Sequence, residues 1–301
     1  MKLLNIGQII RSERQKRGIS QEDLVFDICT PATLSRLENN IHTPTRSIYT
    51  ALLNKIEHLG YVSYSTSDNN IMLYHSTIHD SVYTSLDSNN LDELSSYTHE
   101  IKKYYNDPTL IEQFNAAINS FMCTNPNDDT YTSIKDSIKL TITSYTEDEK
   151  IDYVLTNNEI LLLFALTNYY DKTNNTKQAL FILSNLIECI NKYNSELNFS
   201  SCAKIQNYLI SLYIKDKQYE TAYSNIKQYI NYCKTHSIYS QIVDCAYFET
   251  ICKYQLKDAN PASPVIDAYY YYLANDNYDK AEHLKTLCSE KLHISFKTVF
   301  E

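Results

Sequence analysis

Between Thr30 and Glu38 the sequence reads Thr-Pro-Ala-Thr-Leu-Ser-Arg-Leu-Glu, and its outward side chains are of the types that read the edges of base pairs. Thr and Ser hydroxyls hydrogen-bond to base edges, an arginine pairs bidentately with guanine, and small side chains leave room for a helix to enter the major groove. Leu34 and Leu37 supply an inward stripe, so Thr30, Ala32, Thr33, Ser35 and Arg36 form the candidate reading surface, with Arg11 and Arg46 as further candidate DNA contacts. Other chemistry finds little support. His75 and His79 stand four apart beside Asp80, a spacing that could hold a metal, but no third or fourth ligand accompanies them and exposed helical positions are the better reading. The eight cysteines include no C-x-x-C pair and read as reduced residues on apolar helical faces. With Gly7, Gly18 and Gly60 as the only glycines, there is no loop to cradle a phosphate, and no nucleophile motif is present. The expectation is therefore a protein without metal or cofactor that is not an enzyme.

Several elements must hold that surface in place. Ile6, Ile9 and Ile10 recur at helical spacing from Asn5 to Arg17, with Arg11, Arg14, Lys16 and Arg17 on the remaining faces and Gly18 as a left-handed stop. Ser20 caps a second helix with Asp23 at the capping-box position, and Leu24 and Ile28 face inward. Thr30 is the N-cap and Pro31 the first residue of the third helix. A fourth runs from Thr45 to His58, packs through Ile48, Leu52 and Ile56, and ends at Gly60.

Composition and charge agree with this arrangement. Three glycines and six prolines in 301 residues supply little of the turn chemistry of a many-stranded sheet, which leaves an all-α protein. Residues 1–60 hold 8 basic and 6 acidic side chains, whereas the remainder holds 19 and 30. A slightly basic piece on an acidic body suits a nucleic-acid-binding module on a carrier that phosphate repels. The polar N-terminus has no signal-peptide core, and no run approaches the roughly 18 apolar residues of a membrane span. The chain reads as cytoplasmic. Its 28 tyrosines and absent tryptophan fit the codon bias of an AT-rich genome.

The string I-G-x-x-I-R-x-x-R-x-x-x-G-x-S-Q-x-x-L, beginning at Ile6 and followed by Ser35-Arg36-Leu37-Glu38-Asn39, resembles the Xre/Cro-repressor family of helix-turn-helix domains. The resemblance covers residues 5–58. It implies that Gln21 contacts DNA, that Thr33 and Arg36 reach base edges, and that Arg14 and Glu38 form an internal ion pair. Asn40 stands where the family has glycine, and asparagine is the next best residue for a left-handed turn. The turn before the third helix is one residue shorter than in phage repressors.

Residues 63–70 read as a polar linker. From Ile71 onward, helical blocks of 12 to 16 residues alternate with short Asn/Asp-rich turns, as in stacked helical hairpins. Helices are expected over 91–105, 110–123, 131–145 and 148–171. In the tetratricopeptide pattern an aromatic residue precedes a small one by nine, as Tyr170 and Ala179, Tyr213 and Ala222, and Tyr272 and Ala281 do. The predicted domains are thus 1–62, a helix-turn-helix head, and 71–301, a tetratricopeptide-like right-handed α-superhelix. The groove positions of that pattern select Phe164, Asn168, Lys204, Asn207 and Ser211 as candidate peptide contacts. Asn offers a donor and an acceptor to a peptide backbone and Lys can take a carboxylate; ordinary solvated polar residues are the competing reading.

In architecture the whole chain resembles the Rgg/PlcR/PrgX group, the RRNPP family of peptide-pheromone receptors. The resemblance implies a dimeric transcription factor that binds an inverted-repeat operator and a short signalling peptide. A peptide-independent repressor, or a tetratricopeptide adaptor with an idle head, are the alternatives.

Overall fold

A computed structural model describes residues 6–42, 45–56, 78–86, 90–103, 107–193, 199–235, 242–243, 245–294 and 296. The expected linker at 63–70, His75 and Gly60 lie outside the described residues. All regular structure among the described residues is helical. The chain divides into two compact units, Met1–Cys202 and Ala203–Glu301.

The first unit begins with four short helices, α1 (Ile6–Lys16), α2 (Gln21–Val25), α3 (Pro31–Glu38) and α4 (Arg46–Ile56). Ile10, Leu24, Val25, Leu34, Leu37, Leu52 and Ile56 meet in one small core, with Ile19, Ile28, Cys29, Ile48 and Tyr49 packed around it. These are the apolar residues that the helical spacing selects. The unit continues through α5 (78–86), α6 (Leu91–Glu100), α7 (Pro108–Met122), α8 (Asp128–Lys139), α9 (Asn157–Lys172) and α10 (Thr176–Tyr193).

α9 is the centre of this set. Every residue from Asn158 to Thr167 is buried, and the helix packs against α7, α8 and α10, so its apolar residues cover the whole circumference rather than one stripe. Buried polar groups set the register. Asn158 donates to Leu110 O at 2.9 Å and its Oδ1 lies 2.8 Å from His79 Nε2, while Gln113 donates to Ser137 O and Thr141 Oγ1 at 3.0 and 2.9 Å. His79 is therefore a core hydrogen-bonding residue, not the exposed helical position expected of it.

Two predicted helices are shorter than the pattern indicated. The 131–145 segment is helical only to Lys139, and the 148–171 segment starts at Asn157. Thr156 accounts for the later start. Its side chain accepts from the Glu159 amide, and the Glu159 carboxylate accepts from the Thr156 amide, a reciprocal capping box that ends the helix there.

The second unit comprises nearly all of α11 (Phe199–Lys215), then α12 (Tyr219–Thr235), α13 (Ala246–Gln255), α14 (Ser263–Ala274) and α15 (Tyr278–Leu292). Its C-terminal core joins Ala246, Val265, Ala268, Tyr269, Tyr272, Ala281, Leu284, Cys288 and Ile294.

One turn design recurs through both units. Gly18, Asn40, Asn174, Lys217, Lys257 and Asp276 all have positive φ, from 55° to 63°. In each case the next amide donates to a carbonyl five residues back, at 2.8–3.0 Å. This is the bond that closes a helix through a left-handed residue. Glycine occupies that position only once among the six, and the other five carry the modest cost of a side chain there. Tyr170, Tyr213 and Tyr272 supply the accepting carbonyl in three of these turns, and Ala179, Ala222 and Ala281 lie buried in the first turn of the following helices. The three turns read from the sequence are thus formed.

Candidate nucleic-acid interface

The head is built on a close crossing of α1 and α3. A Cβ added at Gly7 would fall 1.9 Å from Leu37 O, so only glycine permits the two backbones to approach this far. Leu34 and Leu37, fully buried on the inner face of α3, leave the opposite face of that helix to solvent.

An ion pair next to the crossing holds the outer face in register. Arg14 donates from Nε to Glu38 Oε1 at 2.7 Å and from Nη2 to Glu38 Oε2 at 2.9 Å, with Nη1 on Ile19 O at 2.9 Å. Gln21 Nε2 adds a 2.7 Å bond to Glu38 Oε2. One carboxylate, 3 % exposed, thereby ties the end of α3 to α1 and to the start of α2. Arg14 and Glu38 are scaffold, as the sequence indicated. The structure gives Gln21 a further duty, since its amide nitrogen is committed to Glu38.

At the other end of α3, the Thr30 hydroxyl accepts from the Thr33 amide at 3.2 Å and lies 2.9 Å from the Thr33 hydroxyl, with Pro31 following in the first turn. Ala32 and Arg36 are exposed, and Thr33 and Ser35 are half-buried. The Arg36 side chain makes no hydrogen bond or ion pair with any described residue. In this it differs from Arg14 and from Arg17, which donates to Glu13 at 2.6 Å. The arrangement can present an uncompensated guanidinium one helical turn from the small residues Ala32 and Thr33.

Two exposed apolar residues flank α3 and escaped sequence reasoning: Phe26, 70 % exposed, and Ile41, 73 % exposed. Lys55 donates to Phe26 O at 2.9 Å and sits 5.6 Å from the centre of its ring. The spacing pattern carries no signal for them because it selects buried positions only.

Arg11 is exposed, and its charge acts on Asp152. That carboxyl is held below its ordinary range by its hydrogen bond to Lys192 first, against the effect of burial, with Tyr193 and the Arg11 charge adding to the stabilisation. The Arg46 side chain lies outside the described residues. Lys16, read as lying on an outer face of α1, is instead fully buried. Periodicity within α1 could not show that a second set of helices covers that face.

The five candidate peptide contacts are distributed over both units. In the first, Phe164 is a core residue, 7 % exposed, between the rings of Tyr83 and Phe121, and Asn168 is half-buried about one turn farther along α9. In the second, Lys204, Asn207 and Ser211 are all half-buried on α11. Asn207 Oδ1 accepts from Cys245 Sγ at 3.2 Å, and Ser211 donates to Tyr208 O at 2.7 Å. All eight cysteines are free. Among the described residues no cluster of three or more His, Cys, Asp or Glu side chains could hold a metal, and no helix is long and apolar enough to cross a membrane.

Residues 10–57 match the helix-turn-helix family model HTH_3. No curated protein is similar to the chain in sequence. Solved structures share its fold at low identity, two of them as follows. PlcR of Bacillus thuringiensis, in complex with the peptide PapR7 and DNA, is 15 % identical with a TM-score of 0.54, over 93 % of this chain and 98 % of that one. ComR from Streptococcus vestibularis, in complex with its cognate signalling peptide XIP, is 12 % identical with a TM-score of 0.50, over 95 % and 97 %. The chain thus carries a helix-turn-helix domain at its N-terminus and, over nearly its whole length, has the fold of the RRNPP regulators.

Proposed function

We propose that the chain is a sequence-specific DNA-binding transcription regulator of the cytoplasm, dimeric, whose helical body binds a short signalling peptide. The observation that carries the DNA reading is Arg36. Its side chain is exposed and meets no partner among the described residues, on a helix whose remaining outer residues are small or hydroxylic, while Arg14 and Arg17 are engaged within the protein. Thr30, Ala32, Thr33 and Ser35 stand with it at the groove, and Gln21, Arg11 and Arg46 are assigned to the flanks. One head contacts too few base pairs for tight binding, so two heads in a dimer should engage an inverted repeat.

The peptide assignment is supported by the fold shared with PlcR, solved with PapR7 and DNA. Of the five candidate contacts, Asn168 in the first unit and Lys204, Asn207 and Ser211 in the second are proposed to meet a peptide's backbone or carboxylate, whereas Phe164, on the same helix as Asn168, belongs to the core. A helix-turn-helix fold on stacked hairpins is not an enzyme class, and no catalytic role is assigned to any residue.

Arg36→Ala tests the reading. Loss of one bidentate base contact should weaken operator binding by about 1–3 kcal/mol while binding to unrelated DNA changes little. Equal affinity of wild type and variant for the operator would end the assignment of Arg36 as a base reader. Short synthetic peptides from reading frames beside the gene should bind saturably, and Asn168→Ala should weaken them. The absence of saturable binding would favour a peptide-independent repressor.

A further inference from the structure

The face of α1 that does not meet the head core is also buried, and the residues that bury it belong to the segment connecting α8 to α9 and to the first turn of α9. Ser12 Oγ accepts from Val154 N at 2.6 Å and donates to Val154 O at 3.1 Å, so one hydroxyl satisfies both backbone groups of a residue 142 positions away. The Ser144 amide donates to Lys16 O at 3.0 Å. Its hydroxyl reaches Lys16 O at 2.7 Å and Gln15 O at 2.9 Å, capping the end of α1 from outside the head.

Between these contacts lies a set of four charges, of which Lys16, Glu13 and Glu159 are sealed from water and Arg17 is half-buried. Lys16 Nζ donates to Glu159 Oε2 at 2.7 Å and to Glu13 Oε1 at 3.0 Å, and Arg17 closes the set on Glu13 Oε2 at 2.6 Å. The Lys16 and Glu159 side chains are each 1 % exposed. The oxygen of Glu159 that meets Lys16 also accepts from the Thr156 amide at 2.7 Å, so a single atom starts α9 and grips α1. Burial works against the charge on Lys16, yet the facing Glu159 and Glu13 carboxylates outweigh it and hold the ammonium above its ordinary value.

Apolar surfaces can slide over one another, whereas a buried ion pair tolerates little displacement, because movement leaves both charges uncompensated. We propose that Lys16 and Glu159 form an orientation lock that makes the head and the α7–α10 helices turn as one body, with the direction of the reading helix set by α9. The regulatory meaning rests on the proposed function: Asn168 lies farther along α9, so a peptide that displaces this helix displaces the head with it.

The test uses the full chain and hydrogen exchange without DNA or peptide, so that failure of the lock is separable from failure of the DNA reading. Lys16→Met should raise exchange in residues 10–17 and 142–156 by on the order of a hundredfold, while amides of 34–38 stay protected by the head's own core. Lys16→Met with Glu159→Gln removes both charges and should recover most of that protection, an outcome that a mere loss of packing at Lys16 would not give. Unchanged exchange at 142–156, or equal loosening of 34–38, overturns the proposal.

Should Lys16→Met fail to fold, Ser12→Ala decides: about tenfold faster exchange around Val154 supports the lock, and no change overturns it. Lys16→Met should also keep wild-type affinity for a single half-site while losing on the order of tenfold on a full inverted repeat, because two heads without fixed orientation must be ordered on binding. Equal loss on both DNAs, or loss on neither, overturns the lock. Arg36→Ala should leave exchange untouched, which separates the two assignments.

Discussion

α1 takes part in two ion-pair networks that leave it about 200° apart around the helix axis. Arg14 reaches Glu38 within the head, 24 residues on, and remains 13 % exposed. Lys16 reaches Glu159, 143 residues on, and is sealed from water. The first network lies within one small fold and combines a planar guanidinium with a carboxylate in two parallel bonds, a geometry that favours strength. The second joins helices that are distant in the chain and places an ammonium where solvation cannot help it. The contrast shows that one helix can serve as scaffold for the reading surface on one side and as a joint on the other, with residues two positions apart assigned to different duties.

The largest expected effect sharpens that division. Lys16→Met leaves Glu159 without its buried counter-ion and should cost about 3–5 kcal/mol, seen in chemical denaturation as an earlier unfolding of the first unit. Arg14→Met should cost less, about 1–3 kcal/mol, because Gln21 still donates to Glu38 and water reaches the site. A larger loss for Arg14→Met than for Lys16→Met would reverse the ranking and assign the joint little energetic weight.

The smallest effect concerns pH. Burial raises the Glu13 carboxyl, but Lys16 and Arg17 outweigh it and hold the group below its ordinary value of 4.5. Its contribution is therefore complete above pH 4.5 and is lost as pH falls through the lower folded value. Lys16 has the opposite sense, with stability complete below 10.5 and lost as pH rises through its raised value. Denaturation midpoints of Glu13→Gln should accordingly fall less steeply than wild type below pH 4.5. Parallel acid limbs in the two proteins would remove Glu13 from the account.

Much of the head is legible in the sequence. Ser20 and Thr30 cap the helices they were expected to cap, Arg14 pairs with Glu38, and Asn40 takes the left-handed turn in place of glycine. Each of these depends on neighbours within a few turns or on a short, strongly patterned motif. The hairpin turns at Asn174, Lys217 and Asp276 were legible for the same reason. The boundaries of α8 and α9 were less so, since apolar spacing in 140–155 continues through a segment that is not helical.

Local pattern thus determined the helices, their caps, the small core of the head and the outward placement of Arg36, because helix formation and capping are decided by residues three to five apart. Only the tertiary structure decided what covers the second face of α1, since Lys16 and Glu159 are both ordinary helical residues when read alone. It also placed Phe164 in the core and left Phe26 and Ile41 exposed. Burial is a property of the residues that arrive from elsewhere in the chain, and periodicity says that a face exists without saying what will meet it.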